Sequence, residues 1–368
     1  MGKRELFIII AFVVVGAAVY SVTAPAAKPG EQGFSFSKIF SGIKKEISAN
    51  ASSAHLNATG RIAAASTLTE LRISTARSVP LTVIGEARDD IEYEMPVDST
   101  GPDEATAKEW AGLVELRRDE LGSALALSTY FPEQGTQNAA LTLKVPARLA
   151  VRVENSGQIR VSGVAGVELK NPTGEVTLAT VGTVTGTHRN GDLTIDGAGT
   201  VNLNLVSSRS KIRNATQGVS INARSGECSI ADSTGPIAAT VTNVELSVSL
   251  FKNSLTVTGD GGRLKILNAD GKMSVDVRRM LVEIEGVGDT SPDFTIITSD
   301  EPIRFTLKDI TDVAIDAQAT AGTVRADDFG LKAVTESRTS KLLTTPGTPR
   351  ARIVLRNSRE DIVIIKRK

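Results

Sequence analysis

Aromatic side chains are scarce in this 368-residue sequence: they make up 4% of it, with one tryptophan, Trp110. A compact globule leans on aromatic bulk to fill its core. A thin core of stacked Val, Ile, Leu and Ala is therefore the better expectation. Cysteine is nearly absent as well. The single Cys228 excludes an intrachain disulfide, and its apolar strand position in Gly226-Glu-Cys-Ser-Ile230 marks it as a small buried core residue. Only two histidines occur, His55 and His188. They share no ligand spacing with each other or with Cys228, so a His/Cys metal site is not expected. His188 reads as a solvated turn residue. The 42 basic and 42 acidic residues cancel, which leaves no electrostatic draw toward nucleic acid or an anionic surface. Gly-x-Ser-x-Gly elbows and phosphate-binding loops are also missing. No catalytic residue, cofactor or metal is assigned.

What the sequence has instead is a recurring phrase. A glycine is followed by an alternating apolar/polar tetrad, then by small polar residues, at a period of about eight or nine residues. It begins at Gly157 and returns at Gly166, Gly174, Gly182, Gly191 and Gly199, then at Gly218, Gly226 and Gly235, and again at Gly262 and Gly271. Successive strand side chains point to opposite faces. Ile159, Val161, Val176, Leu178, Leu193, Ile195, Val201, Leu203, Leu264 and Ile266 are thus expected on one face. Arg160, Glu175, Thr177, Asp192, Thr194, Asn202 and Lys265 take the other.

Asn190-Gly191 and Asp270-Gly271 are competent hairpin turns, and regular short strands also suit a sandwich. The glycines nevertheless keep one phase within the unit, which suits corners that stack. The expected fold is all-β: a right-handed parallel β-solenoid with two units per coil of about 17 residues and coils about 4.8 Å apart. Regular repeats are placed at 150–290, with irregular β-rich caps at 68–149 and 291–366. In the first cap, strands are expected at Leu71–Ile73, Leu81–Val83, Ile91–Tyr93, Leu113–Leu116, Ala124–Leu127 and Leu141–Val145. A short helix opens near Pro102 and is anchored by Trp110. The last strand, Ile362–Ile365, is apolar on both faces, with Lys366, Arg367 and Lys368 guarding an edge.

The N-terminus carries an address. Lys3 and Arg4 precede an uninterrupted apolar run from Leu6 to Tyr20, the pattern of an export signal. Residues 1–24 are expected to be a signal-anchor, with a cleavable signal peptide as the alternative. Lys3 and Arg4 then stay in the cytoplasm and the remainder is exported, as a single-pass protein of the bacterial cytoplasmic membrane or, after cleavage, a secreted one. Residues 25–67 read as a tether rich in Ala, Ser and Asn, with a weak amphipathic stretch at Phe36–Ile47.

Several segments resemble the DUF4097 family of bacterial adhesin-like β-strand-repeat proteins. These are the opening strand Leu71–Ser74, Pro80-Leu-Thr-Val-Ile-Gly85, Leu141-Thr-Leu-Lys-Val-Pro146 leading to Val151–Gly157, and the ending Ile353–Ile362. The resemblance spans 68–366. It departs at Arg77-Ser-Val, and a glycine is missing between Gly199 and Gly218. It implies an exported β-solenoid and supplies no catalytic residue.

Three functions follow in order. The first is a non-enzymatic, membrane-anchored surface or periplasmic scaffold that binds an envelope protein or a glycan. The second is a bactofilin-like self-assembling structural protein. The third is a polysaccharide-active β-helix enzyme, for which Asp192, Asp196, Asp270 and Asp276 are the loosest candidates; an envelope-stress component is a further variant. Thr183-Val-Thr185, Thr240-Val-Thr242 and Thr256-Val-Thr258 suggest ice or carbohydrate binding, but their irregular spacing favours plain β-propensity. Gly259-Asp-Gly-Gly262 reads as a tight turn and not a calcium loop.

Overall fold

Alternating Val, Ile and Leu residues cannot bury their apolar side within a single strand, so each strand needs a layer above it and a layer below. The computed structural model, which describes residues 52–154, 157–287 and 293–367, supplies those layers by parallel pairing. Val219 pairs with Ile237, Ile237 with Leu255, and Leu255 with Met273, each partner lying 18 residues further on. The second strand of each coil keeps the same step, through Ile230, Val248, Ile266 and Ile284. The described residues are all-β apart from one α-helix and a single 3-10 turn. Every residue expected to face the core is buried, and the outward set is exposed or half-buried.

Coil length is not constant: it is 16 residues from Ala150 to Gly166 and 21 from Met273 to Phe294, and it changes by one between these ends. Ile159 pairs with Val176 and Gly166 with Thr183, a step of 17. From Thr200 with Gly218 onward the step is 18. The extra residue enters the turn Asn214–Gln217, within the stretch between Gly199 and Gly218 where the glycine phrase fails. The missing glycine therefore records a longer coil, not a break in the stack.

The corners differ from expectation. They are files of residues with left-handed backbone: Asn190, Ser207, Ser225, Asn243, Gly261 and Arg279 at one, and Gly163, Thr180, Gly197, Asn214, Asp232, Leu250, Asn268 and Gly286 at the other. The phrase glycine follows the corner. Its role is close approach of the neighbouring coil. A Cβ on Gly226 would lie 2.3 Å from the Ser208 carbonyl oxygen, and one on Gly262 would lie 2.2 Å from that of Val244. In the file Ser208, Gly226, Val244, Gly262, Met280, side chain and glycine alternate from coil to coil. Asn190-Gly191 and Gly259–Gly262 lie in parallel strands that continue through the corner, so neither is a hairpin.

The segments expected as irregular caps are largely further coils, stacked out of chain order. Glu70–Ser74 lies between Ala124–Tyr130 and Ala150–Glu154, parallel to both. Leu81–Glu86 lies likewise between Leu141–Pro146 and Ile159–Ser162. At the far end, Ala351–Asn357 is inserted between Phe294–Ser299 and Val313–Thr320. Ile362–Lys366 is inserted between Ile303–Leu307 and Val324–Arg325. The last strand is thus paired on both sides, and Lys366 and Arg367 guard no edge. A sequence period cannot display layers that are not consecutive, which is why these coils read as irregular.

Antiparallel elements close the stack. Asp90–Gly101 lies against Leu141–Pro146 and carries Ser52–Ala63 on its other side. Thr339–Thr344 covers Val313–Thr320. Ser52–Ala63 corrects the tether expected to reach residue 67, because its small residues form a twelve-residue strand with one face half-buried. The helix runs Glu104–Gly112 with Asp103 as its N-cap, accepting from the Thr106 amide at 2.8 Å. It is anchored by buried Ala107 and Ala111, while the half-buried Trp110 lies over Gly135. The strand expected at Leu113–Leu116 begins at Glu115 and runs to Leu121, because Leu113 is the helix C-cap. The expectations for Leu6–Tyr20, Phe36–Ile47 and the first part of the tether lie outside the described residues. Among those described, no helix is long and apolar enough to cross a membrane.

Gly262→Ala should cost roughly 1–3 kcal/mol, since it combines a left-handed φ of 103° with a backbone clash. Gly347→Ala, with nothing within 4 Å of its added methyl, should stay within about 0.5 kcal/mol of wild type. Equilibrium guanidinium unfolding distinguishes the two, and equal midpoints would refute the close-approach role.

Candidate binding surface

Because the coils stack in register, each outward position becomes a file running across the coils. The first strand of each coil contributes Asn202, Ser220, Ala238, Thr256 and Ser274 in one file. Asn204, Asn222, Thr240, Thr258 and Asp276 form the next. All ten are exposed, and nine are short and uncharged. The Thr240 and Thr258 hydroxyls are 3.3 Å apart. The threonine triplets therefore do contribute to stacked files, although each triplet enters them at a different offset.

The second strand presents charge. Arg209, Glu227, Glu245 and Arg263 form one file, and Lys211, Ser229, Ser247, Lys265 and Glu283 the next. Arg209 pairs with Asp192 at 3.3 Å and with Glu227 at 3.4 Å. Lys265 pairs with Glu285 at 3.1 Å. The nearly buried Glu283 is held by Arg263 and, at 3.4 Å, by Arg304. Opposite charges across neighbouring coils favour this register over a slipped one. Between the long side chains, Ser229 and Ser247 leave a shallow trough of about 290 Å³.

The four aspartates weighed for catalysis do not form a pair. Asp192 is engaged by Arg209, and Asp196 accepts from Asn214 at 2.7 Å. Both lie on the second-strand side, whereas Asp276 stands in a first-strand file and Asp270 precedes the strand starting at Lys272. Cys228 is 2% exposed, and burial pushes its thiol up to about 11. Among the described residues, no group of three His, Cys, Asp or Glu side chains is placed to hold a metal ion. His55 is an exposed strand residue 2.9 Å from Asp98.

His188 corrects the solvated-turn reading. It is fully buried within a strand. Its Nε2 lies 3.2 Å from the Gly174 carbonyl oxygen and its Nδ1 lies 2.8 Å from the Ser208 hydroxyl. This network assigns the neutral tautomer that donates from Nε2 and accepts at Nδ1. The ring thereby ties its own coil to the coils on either side. Hydrophilic neighbours in sequence, Thr187, Arg189 and Asn190, concealed its inward position. The signal available was strand alternation: counted back from Leu193 and across the corner, His188 falls on the buried side.

No family model matches the chain, and no curated protein matches it. Among solved structures, it is similar to a candidate cell adhesion protein from Clostridium sporogenes. Identity is 10%, covering 85% of this chain and 100% of that one, with a TM-score of 0.20. A likeness at that level defines neither fold nor function.

Burial depresses the His188 pKa below its ordinary value, against the smaller opposing effects of the Gly174 carbonyl and Asp192. The unfolded chain therefore takes up the proton first. Stability present above about pH 6.5 should fall as pH drops through that value toward the lower folded pKa. The arginine-paired carboxylates, whose pKa values are also lowered, act at more acidic pH. His188→Gln should flatten the loss between pH 7.5 and 5.5, read as urea midpoints. An unchanged slope would remove His188 as its source.

Proposed function

We propose that the chain is an exported, membrane-anchored, non-enzymatic scaffold of the bacterial envelope. In this reading it is a right-handed β-solenoid of the DUF4097 type, binding an envelope protein or a glycan in the manner of an adhesin. The observation that carries this is the pair of first-strand files. Over five successive coils, nine of the ten positions expose short hydroxyl, amide or methyl groups, where a solvated strand ordinarily carries long charged side chains. Such a face is flat, costs little side-chain entropy to order, and repeats hydrogen-bonding groups at about 4.8 Å. A partner that is itself extended and repetitive can meet several coils at once.

Export is supported by the Lys3-Arg4 start and the Leu6–Tyr20 run. The non-enzymatic reading is supported by the separation of the carboxylates and the deep burial of Cys228. Closure of both ends of the stack by antiparallel strands favours a discrete scaffold over an end-to-end filament.

Two measurements test this. In spheroplasts of a bacterial host, the C-terminal region of the full-length chain should be cleaved by added protease and should stay with the membrane after alkaline extraction; protection from protease would refute export. Asn222→Arg combined with Thr240→Arg should leave the far-UV circular dichroism and the unfolding midpoint unchanged. The same pair should reduce binding to isolated cell-wall and envelope fractions at least ~10-fold, because two long charges would stand in the flat files. Undiminished binding would remove this face as the carrier.

A further inference from the structure

Beyond the flat files, the first-strand side ends in a groove where the regular coils meet the inserted C-terminal coil. The layers there run Lys272–Val287, then Phe294–Ser299, then Ala351–Asn357. In the middle layer the outward residues are short: Ile297 and Ser299. They stand opposite Asp276 and Arg278 on one side, and Ile297 also opposes Arg356 on the other. Long walls around a short floor enclose about 230 Å³. A second hollow of about 400 Å³ adjoins it and shares Arg278.

Arg278 differs from the arginines around it. Arg279 is engaged by Asp260 at 2.8 Å and Arg359 by Asp300. Arg356 binds both the carboxylate and the carbonyl oxygen of Asp316 at 2.7 Å. Arg278 has no hydrogen bond or ion pair among the described residues, although it feels the charges of Asp260 and Asp300. Asp276, two residues earlier on the same face, is likewise open. Glu70 and Arg72 have that same spacing and close at 3.0 Å, so the separation at Asp276 and Arg278 is not imposed by the strand. One further feature points to the groove's chemistry: Ile297 is 43% exposed at the floor.

We infer that this groove captures the C-terminal end of a peptide whose last side chain is aliphatic. The guanidinium of Arg278 supplies a two-pronged donor for a terminal carboxylate. Asp276 accepts from the peptide's backbone N–H, and Ile297 receives the aliphatic group. A free inorganic anion would use Arg278 alone. An acidic sugar would use Arg278 but leave Ile297 facing water.

The test uses the full-length chain in detergent and fluorescein-labelled Gly-Ala-Ala-Leu, with the same peptide amidated at its C-terminus as control. Anisotropy titrations should show saturable binding of the free acid. Amidation, or Arg278→Gln, should weaken it at least ~10-fold, Arg278→Lys by less, and Ile297→Ser several-fold. Arg325→Gln, on another coil, should not change it. Circular dichroism and urea midpoints confirm that each variant is folded. The proposal is overturned if the free acid does not bind up to millimolar concentration. Equal binding of the amide or by the Arg278→Gln variant would also overturn it, as would equally effective competition by galacturonate or phosphate. It stands apart from the role assigned to the flat files, since the Asn222 and Thr240 substitutions should leave this binding intact.

Discussion

Parallel pairing at a fixed step along the chain is the constraint on which everything else in this protein depends. A coil satisfies its backbone hydrogen bonds only through the coils before and after it. Its apolar side chains are also buried only by those neighbours and by the opposite wall of the same coil. Once the step is set, at 17 or 18 residues through the regular coils, side-chain identity at one position must be compatible with the positions one step away in both directions. That is why the interior resolves into files such as Val219, Ile237, Leu255 and Met273, all buried. It is also why surface properties appear as stripes, largely neutral on the first-strand side until Asp276 and Arg278, and charged on the second.

Keeping the step has a conformational cost at the corners. Each corner holds a left-handed residue, and few of these are glycine. For a residue with a side chain this conformation costs on the order of 1–2 kcal/mol, and Asn and Asp bear it best. Thr180, Ser207, Ser225, Leu250 and Arg279 are the exceptions. Leu250 is half exposed, but the adjoining Phe251 is fully buried, and its packing holds that corner. Glycine is used mainly one to three residues later, where the neighbouring coil's carbonyl leaves no room for a Cβ.

Much of the regular stack could be read from the sequence because two periods coincide there. The two-residue alternation identified the buried residues from Ile159 to Ile266, and the glycine spacing gave a coil length that holds for the first coils and is short by one for the later ones. Three features escaped for physical reasons. The strand Ser52–Ala63 is rich in Ser, Ala, Asn and Thr, which in isolation carry the composition of a linker; only the sheet beneath makes its alternation meaningful. His188 is surrounded by polar neighbours, and its inward direction follows from its distance to the corner, not from its own polarity. The groove at Arg278 and Ile297 joins strands separated by some sixty residues of chain. Its pairing arises from an insertion between layers that no local pattern encodes.

The insertion of the last coil sets the order in which the molecule can be completed. Residues 351–366 occupy a layer between 294–307 and 313–325, so coils cannot simply be added one after another as the chain emerges. Until residues 351–366 are available, the layer formed by 294–307 has no neighbour on that side, and strand 313–320 lacks the layer it pairs with in parallel. Contacts this distant in sequence close slowly. The layer at 294–307 therefore stays open and adhesive until residues 351–366 reach it. Completion of the stack thus waits on the segment that comes late in sequence yet sits inside it.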